Sequence, residues 1–207
     1  HEIIGDRDMF TRMMAQGIVT IIYTLEFAGL LVAALPRYKQ KYYVPVKMLC
    51  SVSFVAIAVM FAFVSDHMQY FYMMLLPLVL CAVGDLFMGL YQIKSKRKHM
   101  LAGMIVFLLA HMGFLICFFR VDATITWWNI FLPIVALAAF VFVKHLVHLH
   151  MGRLVIPASI YCVFLSLMLS KSTQYMALYP GLASGWIGFG GIAFFISDFT
   201  IIFLYFY

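Results

Sequence analysis

The chain has 207 residues, 66% of them apolar and 11% charged, with a formal net charge of +6 and a mean hydropathy of +1.03. A soluble domain carries about 25% charged residues, and a soluble globule of this length cannot hide so much apolar surface. The arithmetic excludes a soluble enzyme, a disordered chain, a disulfide scaffold and a nucleic-acid-binding domain, and leaves lipid as the solvent.

A helix needs about 20 mostly apolar residues to cross the hydrocarbon. Seven runs qualify, at 17–35, 45–64, 70–91, 100–119, 126–144, 154–172 and 185–207. The first lacks a signal-cleavage pattern and reads as a retained span. The connections are short, and irregular backbone facing lipid is forbidden. The expected fold is therefore all-α: one polytopic transmembrane bundle over residues 1–207. The chain opens on His1 and stops at Tyr207 inside an apolar run, as a trimmed piece does, which leaves room for an eighth helix after Tyr207.

Lys and Arg set the orientation. Arg37, Lys39, Lys41, Lys47, Lys94, Lys96, Arg97, Lys98, Lys144 and Arg153 fall on one side; Arg7, Arg12, Arg120 and Lys171 fall on the other. The first set should be cytoplasmic and the N-terminus outside. Cys50, Cys81, Cys117 and Cys162 lie in apolar runs without a CxxC spacing, which reads as buried free thiols. Gly181, Gly185, Gly188, Gly190 and Gly191 crowd the seventh run, where small residues allow close helix packing.

Glu26, Asp85 and Asp198 lie within spans. An acid in the hydrocarbon costs about 2.5–3.5 kcal/mol on insertion scales, so each calls for a partner, a water-filled cavity or a function. At 1.5 Å per residue, Asp85 sits roughly 9–10 Å from its cytoplasmic end and His111 roughly 16 Å in. Asp198, Glu26 and Tyr161 fall at similar depths, and Lys47 stands at the mouth of the second run. Taken singly, Asp85 reads as the ion-pair partner of Lys47, Glu26 as a counter-ion, His111 as a packed histidine and Tyr161 as core. Together they fit a shared polar cavity. His145, His148 and His150 lie at a boundary without an acid or cysteine beside them, which favours contact with anionic lipid over a metal site.

Four stretches resemble one family. Leu76-Pro77-Leu78-Val79-Leu80-Cys81-Ala82-Val83-Gly84-Asp85-Leu86 looks like the Gly-Asp span of the YhhN family, the lysoplasmalogenases. Gly103, Phe107, Ala110 and His111 resemble its G-x3-F-x2-A-H element, although Phe114 stands where the family usually has Tyr. Pro157 and Tyr161 are similar to its Pro-x3-Tyr helix, and Gly191 to Asp198 to its closing Ser-Asp element. Lys47 resembles a family lysine, with Met48 in place of the Pro that often follows. The resemblance covers residues 45–203.

It implies hydrolysis of the alkenyl ether of a lysoplasmalogen to a fatty aldehyde and a glycerophospho-ethanolamine or -choline. The partners would be the lysophospholipid and membrane lipids, with no nucleic acid, cofactor or metal. The residue types suit the reaction. Protonation of the β-carbon gives an oxocarbenium ion, water adds, and the hemiacetal collapses. Two carboxylates serve such a path, as in glycoside hydrolysis, because their environments push their proton affinities apart. Asp85 and Asp198 are the expected pair, with the roles of acid and base left open. His111 would orient water or a carboxylate, Tyr161 and Ser197 would donate hydrogen bonds, and Glu26 would support the site. Lys47 would meet the phosphate as a point charge, and Phe and Met side chains would hold the alkenyl chain. No G-x-S-x-G element marks a nucleophilic serine. The same intramembrane acids also suit a small proton- or cation-coupled transporter. A seven-helix receptor fits the layout with less support, since the short connections offer no coupling surface.

Overall fold

The computed structural model describes residues 14, 17–19, 21–30, 40–64, 68–148 and 151–206. In chain order the helices are α1 (Gly17–Leu30), α2 (Gln40–Val64), α3 (Met68–Lys94), α4 (Arg97–Val121), α5 (Trp127–Leu146), α6 (Val155–Leu178) and α7 (Leu182–Phe206), with one 3-10 turn at Gly152–Leu154. Six of them, α2 to α7, are long and apolar enough to cross a membrane. The chain is an integral multi-pass membrane protein. Of the expected first run, residues 31–35 lie outside the described residues, as do Arg7, Arg12, Arg37, Lys39 and His150.

Packing follows chain order along α2–α3–α4, and then converges on α6, which touches α4, α5 and α7. Half of the α6 span is buried, the largest share among the six spans of the described residues. Its hydroxyls bond back to its own carbonyls, Ser166 to Cys162 at 2.7 Å, Ser170 to Leu167 at 2.8 Å and Ser172 to Leu169 at 2.9 Å. A buried helix can carry these residues because each hydroxyl finds an acceptor without leaving its own turn.

The α3–α4 seam interlocks from both sides. A Cβ added at Gly84 would lie 2.8 Å from the Phe107 ring, at Gly103 2.8 Å from Met88 Sδ, and at Gly113 2.7 Å from Pro77. Pro77 has no N–H to offer the carbonyl one turn earlier, at Met73. The Cys117 thiol donates to that carbonyl at 3.3 Å, so the gap in the α3 ladder is filled from α4. On α7, Gly188 meets Met176 and Gly191 meets Ser172, which brings α7 onto α6; Gly185 and Gly190 have open space where a Cβ would stand. The close-packing reading of the glycines thus holds at two of the positions named. All four cysteines are free, with Cys50, Cys117 and Cys162 buried and Cys81 partly so. The core gathers around Phe107, Leu115, Phe140, Cys162, Leu165 and Met168.

Candidate active site

Buried positions on α7 recur at Ser184, Gly188, Gly191 and Asp198, the stripe of a helix facing α6. That stripe carries the Asp198 carboxylate inward to Tyr161 of α6 and His111 of α4. The Tyr161 hydroxyl donates to Asp198 Oδ2. His111 Nε2 stands 3.2 Å from the Tyr161 oxygen and 3.4 Å from Asp198 Oδ2. His111 is fully buried, its ring edge-on to Phe194 at 5.1 Å between centroids. Its Nδ1 is buried with no hydrogen-bond partner among the described residues. A buried polar atom of this kind calls for a water or a ligand atom.

Asp85 belongs to a neighbouring group. Lys47 Nζ lies 2.8 Å from Asp85 Oδ1, and Ser51 Oγ donates to Asp85 Oδ2 at 2.6 Å. Lys47 and Ser51 are one turn apart, so α2 presents both to α3 on a single face. This group is more open than the first: the Asp85 side chain keeps 23% of its exposure, against 8% for Asp198. The two expected partners, Asp85 and Asp198, therefore hold separate sets of hydrogen bonds. Asp85 on α3 and Asp198 on α7 are joined through packed helices, α3 on α4, α4 on α6 and α6 on α7.

Glu26 extends the row on the other side. Ser53 Oγ donates to its Oε1 at 3.1 Å, while Oε2 is buried without a partner among the described residues. Ser53 lies two residues after Ser51, so α2 meets Glu26 of α1 and Asp85 of α3 within one turn of its length. The acids thus follow one another as Glu26, Asp85 and Asp198 across the bundle.

Ser197 sits on the exposed side of α7, turned from the direction of Asp198. His145 ends α5 exposed, and His148 is exposed in the following turn with φ +52°. Among the described residues, no three His, Cys, Asp or Glu side chains converge on a point that could hold a metal ion. Phe114, one turn beyond His111, packs against the core with no hydroxyl to offer. Sequence reasoning missed Ser51, Ser53 and Phe194. Ser51 had a signal, its position one turn from Lys47; Ser53 and Phe194 had none.

A different polar cluster lies at the opposite end. Lys171 is 2% exposed. Its ammonium donates to the carbonyl of Asp122 at 3.1 Å and to that of Thr124, and it lies 4.5 Å from the centre of the Phe119 ring. Gln174 Nε2 reaches Asp122 Oδ2 at 3.1 Å and Thr124 Oγ1 at 2.9 Å. Hydrogen bonds from the Thr124 hydroxyl and then its N–H hold the Asp122 carboxyl below the ordinary carboxylate range. The Asn129 amide donates to Ser170 Oγ at 3.1 Å. The cluster ties the α4–α5 loop onto α6.

No curated protein and no solved structure matches the chain. The model of one family does, over residues 42–207, a stretch that includes Lys47, Asp85, His111, Tyr161 and Asp198 and omits Glu26. On that match, which spans well over half its length, the chain belongs to the YhhN family.

Proposed function

We propose that the protein is a lysoplasmalogenase-like hydrolase, which cleaves the alkenyl ether of a lysoplasmalogen by paired-aspartate acid–base catalysis. The observation that carries this reading is two intramembrane carboxylates in unlike surroundings within one bundle: Asp198 buried against Tyr161 and His111, Asp85 partly open and paired with Lys47. Family membership supports the reaction class.

Two unlike carboxylates divide acid and base work. The Tyr161 hydroxyl and His111 Nε2 both address Asp198 Oδ2, so the transferable proton belongs on Oδ1. Asp198 gives that proton to the β-carbon of the alkenyl ether. The electron pair of the C=C bond forms the new C–H bond, and the ether oxygen shares the positive charge. Asp85 faces this oxocarbenium ion as the anion and takes a proton from the water that adds to it. The hemiacetal then collapses. Its hydroxyl proton passes to Asp198, the C–O bond to glycerol breaks, and the proton on Asp85 goes to the departing oxygen. The products are the aldehyde and the glycerol alcohol, with one water consumed and both carboxyls restored. Lys47 shares its ammonium between Asp85 and the substrate phosphate. The chain lies among Phe and Met side chains, whose flexible packing suits a lipid tail.

The test is aldehyde release by the purified chain from lysoplasmalogen, beside the matched ester lysophospholipid. Release from the alkenyl lipid alone, lost in Asp85→Asn and Asp198→Asn, is the expected result. Release that survives both substitutions rejects the mechanism. The row of intramembrane acids also suits a proton path. Proton-driven flux in proteoliposomes, abolished by Asp85→Asn and accompanied by no aldehyde, would favour transport instead.

A further inference from the structure

We infer that Glu26, with the Tyr23–Phe54 aromatic pair beside it, binds the ammonium end of the substrate headgroup and selects lysolipids that carry an amine. The inference rests on the vinyl-ether reading above and adds to it a subsite outside the residues that the family model matches.

Three observations converge. The first is a carboxylate with half its capacity unused: Glu26 Oε1 accepts from Ser53, and Oε2 is buried with no partner among the described residues. A buried acceptor without a donor is costly, and a charged donor satisfies it best. The second is the aromatic wall. Tyr23 lies one turn before Glu26 on α1, and its ring stands 6.1 Å from that of Phe54 on α2, next to Ser53. Aromatic faces beside a carboxylate attract alkylammonium groups through the ring quadrupole. The third is order. α2 holds Glu26 at Ser53 and Asp85 at Ser51 and Lys47, and Asp198 follows on α7 across the packed α4 and α6. A lysoplasmalogen carries its alkenyl ether, phosphate and amine in a matching sequence. With the ether at Asp198 and Asp85 and the phosphate at Lys47, the amine reaches Glu26. A negative group there is hard to explain for a lipid whose headgroup ends in phosphate alone, since like charges repel.

The test uses two saturated 1-O-alkyl lysolipids, one with phosphoethanolamine and one with methyl phosphate. Neither can be hydrolysed, so their binding reads the amine subsite whether or not the chain releases aldehyde from the alkenyl lipid. Apparent Kd values are measured on the purified full chain in mixed micelles. The phosphoethanolamine lipid should bind about tenfold more tightly, the increment of one hydrogen bond to a charged group. Glu26→Gln should bring the ratio close to one, and Tyr23→Leu should lower it part of the way. Equal binding by the unaltered chain, or a ratio that survives both substitutions, overturns the inference. If Glu26→Gln aggregates, the unaltered chain and Tyr23→Leu decide by the same criteria. A diacyl phosphatidylethanolamine arm separates the sources of the amine. Competition by that lipid as strong as by the lysolipid would make the site a reader of bilayer headgroups and overturn its assignment to substrate.

Discussion

Two buried polar clusters occupy opposite ends of one bundle, and they differ in what they leave unsatisfied. Around Lys171 the charge is spent on loop carbonyls and an aromatic face, and Gln174 and Asn129 complete the ties between α6 and the α4–α5 loop. At the basic end, Asp85 keeps part of its exposure, and His111 Nδ1 and Glu26 Oε2 are buried without partners among the described residues. Both clusters bear the desolvation cost of charge in an apolar bundle. A saturated cluster returns that cost as fixed geometry. An unsaturated one holds atoms that only a ligand or water can complete.

The contrast breaks first at the aspartates. Asp198→Asn or Asp85→Asn should lower aldehyde release by about 10³-fold, within the range for loss of a positioned acid or base. The protein should remain folded by circular dichroism and size exclusion. Tyr161→Phe removes the hydroxyl that His111 and Asp198 share, and should lower turnover by about 10²-fold. It should also displace the pH–rate profile, which a purely structural hydroxyl would leave in place.

Lys171→Met sharpens the other side. It should cost about 2 kcal/mol of stability, the loss of hydrogen bonds made by a charged donor, read by denaturant or thermal unfolding. The specific activity of the folded fraction should not change. A large activity loss with normal stability would erase the distinction between the two ends. The smallest effect concerns acid. Asp122 is held below the ordinary carboxylate range by Thr124, so its folded-state affinity for a proton is lower than in the unfolded chain. Its contribution is complete above about pH 4, the unfolded value, and is lost as pH falls through the lower folded value. Hydrogen exchange in the α4–α5 loop should rise on that acid limb, and Asp122→Asn should flatten the dependence.

The helices were legible because lipid leaves the backbone few alternatives. Asp85, His111, Tyr161 and Asp198 were legible as a slab because depth along a spanning helix follows from rise per residue. Their division into two groups was not. Depth fixes one coordinate, and the remaining two depend on which helices touch. That is set by contacts such as Gly191 against Ser172, where the sequence displays only a run of glycines. Lys171 carries the same lesson from the other side. As a letter it counts toward orientation, and only the loop folded over α6 shows it to be enclosed.

The chain-order packing of α2, α3 and α4 has a consequence for biosynthesis. The Lys47–Asp85 pair needs only the first of these contacts and can form while the ribosome is still working. His111 and Tyr161 follow, and Asp198 emerges last of the site residues. At a synthesis rate of about 5–20 residues per second, several seconds separate the two aspartates. During that interval the nascent protein stands in the membrane with Asp85 in place and Asp198 still to come. The set of intramembrane acids is complete only when α7 has inserted and seated Gly188 and Gly191 on α6.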